Sequence, residues 1–271
     1  MITQKKQNDS NEDMGMTDKL IFKAKLGSKA RMIVVIPTYN EIDNVPILID
    51  KFKQVIKHSQ MEILLLFVDD SSPDGTGKEI EKISKDLEYI GLRTRTEKNG
   101  LGMAYLDGFE SAINEGADYI VQMDADLSHD PTLVLEFQNK ISEGFDVVIA
   151  SRYIKGGGVV GWPLKRKITS RGGNLYAKIM VRLDNVKDCT SGYRAINSKF
   201  VREILKKKNK FSGGYVFQIE LLSQFITAGA RVQEVPMIFK EREHGHSKLG
   251  SVQIIEFIRK LFLYRLLSNK V

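Results

Sequence analysis

Short apolar runs, each closed by a polar cluster and trailed by a segment of helical period, constrain this chain more than any other feature. Met32-Ile33-Val34-Val35-Ile36 has strand length and ends at Pro37. Asn44 and Pro46 then open a segment that places Leu48, Phe52, Val55 and Ile56 at helical spacing. Ile63 to Val68 predicts a second buried strand, closed by the turn-rich Asp69-Asp70-Ser71-Ser72-Pro73-Asp74-Gly75. Ile80, Ile83 and Leu87 mark the next amphipathic helix. A helix from about Gly102 to Glu115, burying Leu106, Phe109 and Ile113, leads into a strand from Tyr119 to Met123. Asp130-Pro131 reads as an N-cap with proline at the first helical position, for a helix running to Glu143. Asp146 to Ala150 is a further strand. Buried strands alternating with amphipathic helices predict an α/β chain with a mostly parallel central sheet and helices on both faces.

Beyond Arg152 the texture turns glycine-rich and basic, with Lys155-Gly156-Gly157-Gly158, Lys165-Arg166-Lys167 and Arg171. Helical patterns follow near 174–182, 199–207 and 217–228, then a strand near 232–239 and a last helix near 252–267. The polar first 30 residues read as a tail, 31–245 as one catalytic unit, and 246–271 as an amphipathic helix that either lies in a membrane interface or packs on the core. The chain has 271 residues, a net charge of +7 and a single cysteine, Cys189. Such a charge suits an anionic partner: a nucleotide, a nucleic acid or a membrane surface. One cysteine excludes an internal disulfide and fits a reducing compartment. No apolar signal segment follows Lys5-Lys6, and Ile63–Val68 is far short of the ~20 residues that cross a bilayer. Any membrane contact of this chain is therefore expected to be peripheral, on the cytoplasmic side, or supplied by a separate anchoring subunit.

In open α/β sheets, ligands bind beyond the carboxyl ends of the strands. Those ends carry Pro37-Thr38-Tyr39-Asn40-Glu41, Asp69-Asp70 and Asp124-Ala125-Asp126. Carboxylates gathered at one edge repel one another unless a cation neutralises them, and hard oxygen ligands select Mg²⁺ or Mn²⁺. Asp124 and Asp126, two residues apart in extended chain, project to one side and can share an ion. Read alone, such a pair is more often a solvated capping loop; its place between a buried strand and a helix start favours metal. Ser128 and His129 are further candidates for the coordination. The first strand–helix turn lacks the glycines of a dinucleotide-binding fingerprint. Tyr39 is a candidate for stacking on a base. Arg152, Lys165, Arg166, Arg171, Arg194, Arg242 and Lys248 fall in glycine- or turn-rich stretches suited to phosphate contacts.

The segments VVIPTYNE (34–41), VDDSSPDGT (68–76), MDADLSHDP (123–131), ASRYIKGGGVVGWPLKRKITSRGGN (150–174), DCTSGYRA (188–195), GYVFQIE (214–220) and HSKLG (246–250) carry a resemblance to glycosyltransferases of family 2. Within them, the chain resembles the dolichol-phosphate mannosyltransferases. The resemblance implies a GT-A fold and inverting transfer of mannose from GDP-mannose to dolichyl or another polyprenyl phosphate. It implies that Pro37, Tyr39, Glu41, Val68 and Asp70 hold the nucleotide, that Asp124 and Asp126 hold Mg²⁺ or Mn²⁺, and that Ala125 contacts the donor. Arg152, Arg242 and Lys248 would contact phosphates or sugar, and Arg166 and Ser170 the lipid phosphate. Some relatives carry glutamine where this chain has Ser128. The alternatives are a UDP-glucose-type donor on the same fold, a magnesium-binding phospho-acceptor domain, and a non-catalytic nucleotide-sugar binder. Nucleic acid is not an expected partner.

Overall fold

The computed structural model describes Phe22 and residues 29–206, 211–212, 214, 216–241 and 251–268. Arg242, His244, His246 and Lys248 lie outside the described residues, as does nearly all of 1–28. The chain runs β1 (Arg31–Thr38), α1 (Asn44–His58), β2 (Glu62–Asp69), α2 (Thr76–Ile83), β3 (Ile90–Thr94), α3 (Leu101–Asn114), β4 (Tyr119–Gln122) and α4 (Leu133–Ser142). It continues through β5 (Val147–Ser151), β6 (Gly158–Val160), α5 (Leu164–Val181), β7 (Arg194–Asn197), α6 (Ser198–Lys206), α7 (Val216–Thr227), β8 (Val232–Pro236), β9 (Ile238–Lys240) and α8 (Ser251–Ser268).

Seven strands form one sheet in the order β3-β2-β1-β4-β7-β5-β8, and β6 pairs with β9 in a second, two-stranded sheet. Every pairing in the large sheet is parallel except those of β7, which runs antiparallel to β4 and β5. The apolar runs explain this layout. In β1, Ile33 and Val35 face a core shared with Tyr105, Phe109, Phe217 and Phe225, whereas Met32, Val34 and Ile36 face one shared with Leu48, Phe52 and Phe137. Both faces of the strand are covered, so its residues are apolar without alternation. Gly108 lets α3 lie directly on the sheet: a Cβ there would press into Val35 and come within 2.9 Å of Val68.

The structure corrects several expectations. The strands β3, β6 and β7 are too short or too polar to stand out; Ile90-Gly91-Leu92-Arg93-Thr94 has two apolar side chains, and β7 begins with an arginine. The helix expected through Leu87 ends at Ile83, leaving Leu87 in the following turn. Asp130 does not cap α4, which begins at Leu133 behind a tighter turn; its carboxylate instead accepts the Thr132 N–H at 3.0 Å. The expected strand near 232–239 breaks at Met237 into β8 and β9, which belong to different sheets. The helix expected from Asn174 begins ten residues earlier, at Leu164. Lys165, Arg166 and Arg171 are thus helical rather than in loops, because Pro163 starts the helix and Gly172-Gly173 fails to stop it. Arg194 is not a surface phosphate ligand; it is fully buried in β7.

Candidate active site

Four parallel strands deliver their carboxyl ends to one edge of the sheet: β1 with Tyr39, β2 with Asp70, β4 with Asp124 and Asp126, and β5 with Arg152. From β1 the chain proceeds outward to β2 and β3, then returns to place β4 on the other side of β1. That reversal opens a crevice between neighbouring strand ends, the usual ligand site of open α/β sheets. Three loops at this edge pass through the left-handed backbone region without glycine: Asn40 (φ 61°), Ser71 (φ 51°) and Leu127 (φ 61°). Such conformations are costly and persist where surrounding contacts fix them.

The fixing contacts are visible. After β2, the two aspartates divide their work. Asp69 accepts the Thr38 hydroxyl at 2.9 Å, the Ser72 hydroxyl at 2.6 Å and the Ser72 N–H at 2.9 Å, tying the ends of β1 and β2 together. Asp70 pairs with Arg95, whose Nε also meets Asp107 at 2.5 Å. The Glu41 N–H donates to Thr76 at 2.9 Å, and its carboxylate accepts the Asn44 amide at 2.6 Å. The ring of Tyr39 is exposed, with the Lys98 ammonium 3.1 Å from its centroid. Pro37 is half-buried, while Val68 and Ala125 have their side chains in the core. Any contact these last two make with a ligand is therefore through backbone.

After β4, Leu127 turns the chain so that Ser128 and His129 fold beneath the acidic pair. The Ser128 hydroxyl (2.5 Å) and N–H (3.1 Å) both donate to Asp126 Oδ1. His129 Nδ1 accepts the Asp124 N–H at 3.2 Å, and the imidazole stacks on Tyr193, centroids 4.8 Å apart. Ser128 and His129 brace the loop from within, buried at 2% and 4% exposure, whereas Asp124 is half-buried at the crevice. Asp124 Oδ1 accepts the hydroxyl of Tyr105 at 3.0 Å. Burial, reinforced by the charge of Asp124, pushes the Tyr105 phenol well above its ordinary pKa, so it remains a donor. Arg194 lies nearby, donating to the carbonyls of Gln218 (2.6 Å) and Cys189 (2.8 Å); burial lowers its pKa to about 10, which leaves it a cation at neutral pH. Among the described residues no group of three His, Cys, Asp or Glu side chains gathers as a metal cage.

The basic side of the edge is built around a buried fork. Arg152 donates Nε to Asp188 Oδ2 at 2.7 Å and Nη2 to Asp188 Oδ1 at 2.8 Å, with a further bond to Thr190 at 2.8 Å. Aromatic rings connect this fork to α5. His129 meets Phe239 edge-on at 5.8 Å, Phe239 meets Trp162 at 5.4 Å, and the Arg166 guanidinium lies 4.1 Å from the Trp162 ring. Arg166 also pairs with Glu241 at 2.5 Å, and Ser170 shares a 2.7 Å hydrogen bond with the Tyr153 hydroxyl. The structure thus brings Arg152, Arg166 and Ser170 to the same side as the acidic loop.

Tyr105, Arg95, Lys98, Asp188 and Trp162 are parts of this edge that residue-type reasoning missed. Arg95 and Lys98 follow the overlooked strand β3. Tyr105 reads as an ordinary core position of α3, and only its buried hydroxyl signals a polar partner. Asp188 stands within the segment 188–195, where an acidic residue next to a buried cysteine was an available sign.

The family model for glycosyl transferase family 2 matches residues 33–205. The chain is 38% identical over 235 residues to polyprenol monophosphomannose synthase of Mycolicibacterium smegmatis, covering 85% of each chain. It is 39% identical over 220 residues to undecaprenyl-phosphate mannosyltransferase of Micrococcus luteus, covering 81% of this chain and 88% of that one. Among solved structures, mannosyl-3-phosphoglycerate synthase from Rubrobacter xylanophilus aligns with a TM-score of 0.65 at 18% identity, over 89% of this chain and 75% of that one. Glucosyl-3-phosphoglycerate synthase from Mycobacterium tuberculosis, in complex with Mn²⁺, UDP and phosphoglyceric acid, aligns at 0.60 with 20% identity, over 89% and 78%. These likenesses establish the GT-A fold. Fold, sequence match and relatives agree that this chain belongs to glycosyl transferase family 2 and is a glycosyltransferase.

Proposed function

We propose that the chain transfers mannose from GDP-mannose to a polyprenyl phosphate of the dolichyl or undecaprenyl type, at the cytoplasmic face of the membrane that holds the acceptor, with residues 31–245 as the catalytic unit. The observation that carries this reading is the braced Asp124-Ala125-Asp126 loop at the sheet's reversal point, joined through aromatic rings to the basic face of α5. The names of the relatives in Mycolicibacterium and Micrococcus support mannose and a polyprenyl phosphate.

The donor set suits Mg²⁺ or Mn²⁺: two hard carboxylates, one half-buried at the crevice, with diphosphate oxygens and water to complete the shell when the ion is bound. Asp124 and Asp126 would hold the ion, which when bound supplies charge stabilisation for the departing nucleoside diphosphate. Tyr39, Glu41, Pro37 and the backbone at Val68 and Ala125 would form the nucleotide wall, with Asp70 acting through Arg95. Arg242 and Lys248 stay candidates for phosphate contacts on sequence grounds alone.

A phosphate monoester is already anionic at neutral pH, so its oxygen attacks the anomeric carbon without a strong general base. A carbon–oxygen bond forms to the acceptor phosphate as the bond to the nucleoside diphosphate breaks on the opposite face. The bonding pair leaves with the diphosphate, and the configuration inverts. Catalysis then lies in alignment and in preorganised charge. Arg166 and Ser170 would position the acceptor phosphate, and Arg152, fixed by Asp188, would hold positive potential behind the reacting centre.

The test is transfer of labelled mannose from GDP-mannose into the lipid phase, with polyprenyl phosphate and Mg²⁺ or Mn²⁺, against chelator. Metal-dependent label in the lipid is the expected result. Transfer from UDP-glucose in its place would overturn the donor, and label appearing only on phosphoglycerate would overturn the acceptor. Transfer only after addition of a membrane subunit would make that subunit a required partner.

A further inference from the structure

We propose that Tyr193 is a positioning residue for the acidic loop 124–130, holding both ends of that loop so that Asp124 and Asp126 stand ready for the metal. The role rests on the proposed reading of those two carboxylates as the metal pair, and it acts through His129 and the Asp130 carbonyl. Tyr193 immediately precedes β7 and is fully buried. Its carbonyl accepts the Ala150 N–H of β5 at 2.9 Å, which ties its backbone to the large sheet. From that anchorage the ring stacks on His129, with centroids 4.8 Å and planes 16° apart, and meets Phe137 of α4 edge-on at 4.9 Å. The hydroxyl donates to the Asp130 carbonyl at 2.9 Å. His129 in turn accepts the Asp124 N–H at 3.2 Å. One side chain therefore reaches the start of the loop through His129 and the end of it directly.

A phenol at a fully buried position costs free energy unless its hydroxyl is bonded, and phenylalanine would fill the same space without that demand. Here the hydroxyl's partner is main chain of the loop. Burial raises the Tyr193 phenol well above its ordinary pKa, so the hydroxyl stays a donor at neutral pH. The Asp130 carbonyl has a second lone pair for the Leu133 N–H, 3.2 Å away, so the bond from Tyr193 takes nothing from the start of α4.

The loop needs such a hold on this flank. Leu127 adopts φ 61°, a left-handed backbone that a bulky side chain takes only at a cost. Beside it lies a cavity of about 280 Å³, whose walls include Lys51 of α1, Leu127, Asp130 and Pro131, and Ile238 and Lys240 of β9. Close-packed neighbours would oppose a shift of the loop, and a cavity does not. Restraint there falls to hydrogen bonds and ring stacking. Tyr105, for its part, holds the Asp124 carboxylate at 3.0 Å. The two phenols belong to the cores on opposite faces of the sheet, so the loop is fixed from both layers. Tyr105 acts on a carboxylate and Tyr193 on main chain. Loss of the Tyr193 hydroxyl should therefore loosen the turn while leaving the ligand atoms themselves in place.

The experiment is Tyr193→Phe in the full chain, read first by backbone amide exchange of the metal-free protein. The second reading is Mn²⁺ binding in the presence of GDP, followed as loss of the free ion's paramagnetic signal. The variant keeps the ring in the core and should unfold close to the wild-type temperature. Exchange at the Asp124 and Ser128 amides should quicken about fivefold, the worth of one neutral hydrogen bond, and Mn²⁺ affinity should weaken by a similar factor. Transfer at saturating metal should keep its maximal rate, because both carboxylates remain. Phe225→Leu, a change in the core on the other face of the sheet, should lower the unfolding temperature and leave both readings at wild-type values. Equal changes in Phe225→Leu would reduce Tyr193 to general support of the core and overturn the proposal. Unchanged exchange and unchanged affinity in Tyr193→Phe, with normal Mn²⁺ binding by the wild type, would overturn it while keeping the metal reading. A wild type that takes up no Mn²⁺, with exchange still quickened in the variant, would sink the metal reading and keep the hold on the loop.

Discussion

The acidic loop after β4 and the basic first turns of α5 are both close to the crevice, and they are held in opposite ways. Asp126 is 6% exposed and takes two hydrogen bonds from Ser128; Asp124 is fastened by Tyr105 and, through its N–H, by His129. Arg166, by contrast, is pinned by one pair with a Glu241 whose side chain is 44% exposed and by a ring contact to Trp162. A group meant to stabilise charge developing in a transition state gains from being fixed in advance. A group meant to meet a long, mobile acceptor gains from being able to adjust. On the proposed reading, preorganisation belongs to the acidic, donor side and adaptability to the basic, acceptor side, and substitutions should respect that division.

The sharpest break is Asp126→Ala. It removes a carboxylate proposed to hold the metal, together with the anchor of the Ser128 turn, and turnover should fall by about a thousandfold. Near-normal lipid mannosylation by the purified variant would end the metal assignment. Next in size is Asp188→Asn, which leaves the Arg152 guanidinium buried without its counter-charge. Breaking one side of a buried ion pair costs about 3–5 kcal/mol, read by urea unfolding. Burial opposes the charge of Asp188, yet the Arg152 charge and its hydrogen bonds outweigh it and hold the carboxyl below the ordinary aspartate value. The pair's contribution is thus complete above the unfolded pKa of about 3.9 and is lost as pH falls through the lowered folded value. Wild-type stability should decline in that acid range more steeply than that of Asp188→Asn.

The same division explains what the sequence disclosed. The acidic edge was legible because buried parallel strands are written as continuous apolar runs, and the residues closing 32–36, 63–68 and 119–123 mark the sheet edge directly. Asp124 and Asp126 follow from that placement. What supports them did not, since Tyr105 looks like any other buried aromatic of α3, and the Arg95 partner of Asp70 hangs on a five-residue strand with a glycine in it. The basic side was less legible. Glycines and lysines between 155 and 173 suggested loops, but Gly172 and Gly173 sit inside α5, whose packing on α7 and α8 overrides their low helix propensity. Arg194 was misjudged because a lone basic residue in a short antiparallel strand carries no periodic sign of burial.

On the acceptor side, Arg166→Ala should raise KM for the polyprenyl phosphate about tenfold and change kcat less, as expected for a residue that binds rather than reacts. Glu241→Gln should alter it little in either direction, because a half-exposed ion pair is worth about 0–1 kcal/mol. Unaltered acceptor kinetics in Arg166→Ala would remove that residue from the lipid-phosphate site and shift the assignment toward Ser170.

A last substitution tests how far preorganisation extends. Tyr105→Phe keeps the ring packed parallel to Phe217, 6.3 Å between centroids, and deletes only the hydroxyl that reaches Asp124. A hydrogen bond to a charged group contributes about 1.5–3 kcal/mol, but water at the half-buried carboxylate can replace part of it. The apparent affinity for Mn²⁺ should therefore weaken about fivefold, with the maximal rate at saturating metal largely retained. Because burial keeps the phenol protonated across the working range, its removal should leave the shape of the pH–rate profile unchanged. A variant that lost maximal rate but kept its metal affinity would mean that Tyr105 supports the reacting geometry itself, and that the fixed part of the site reaches beneath the loop into α3.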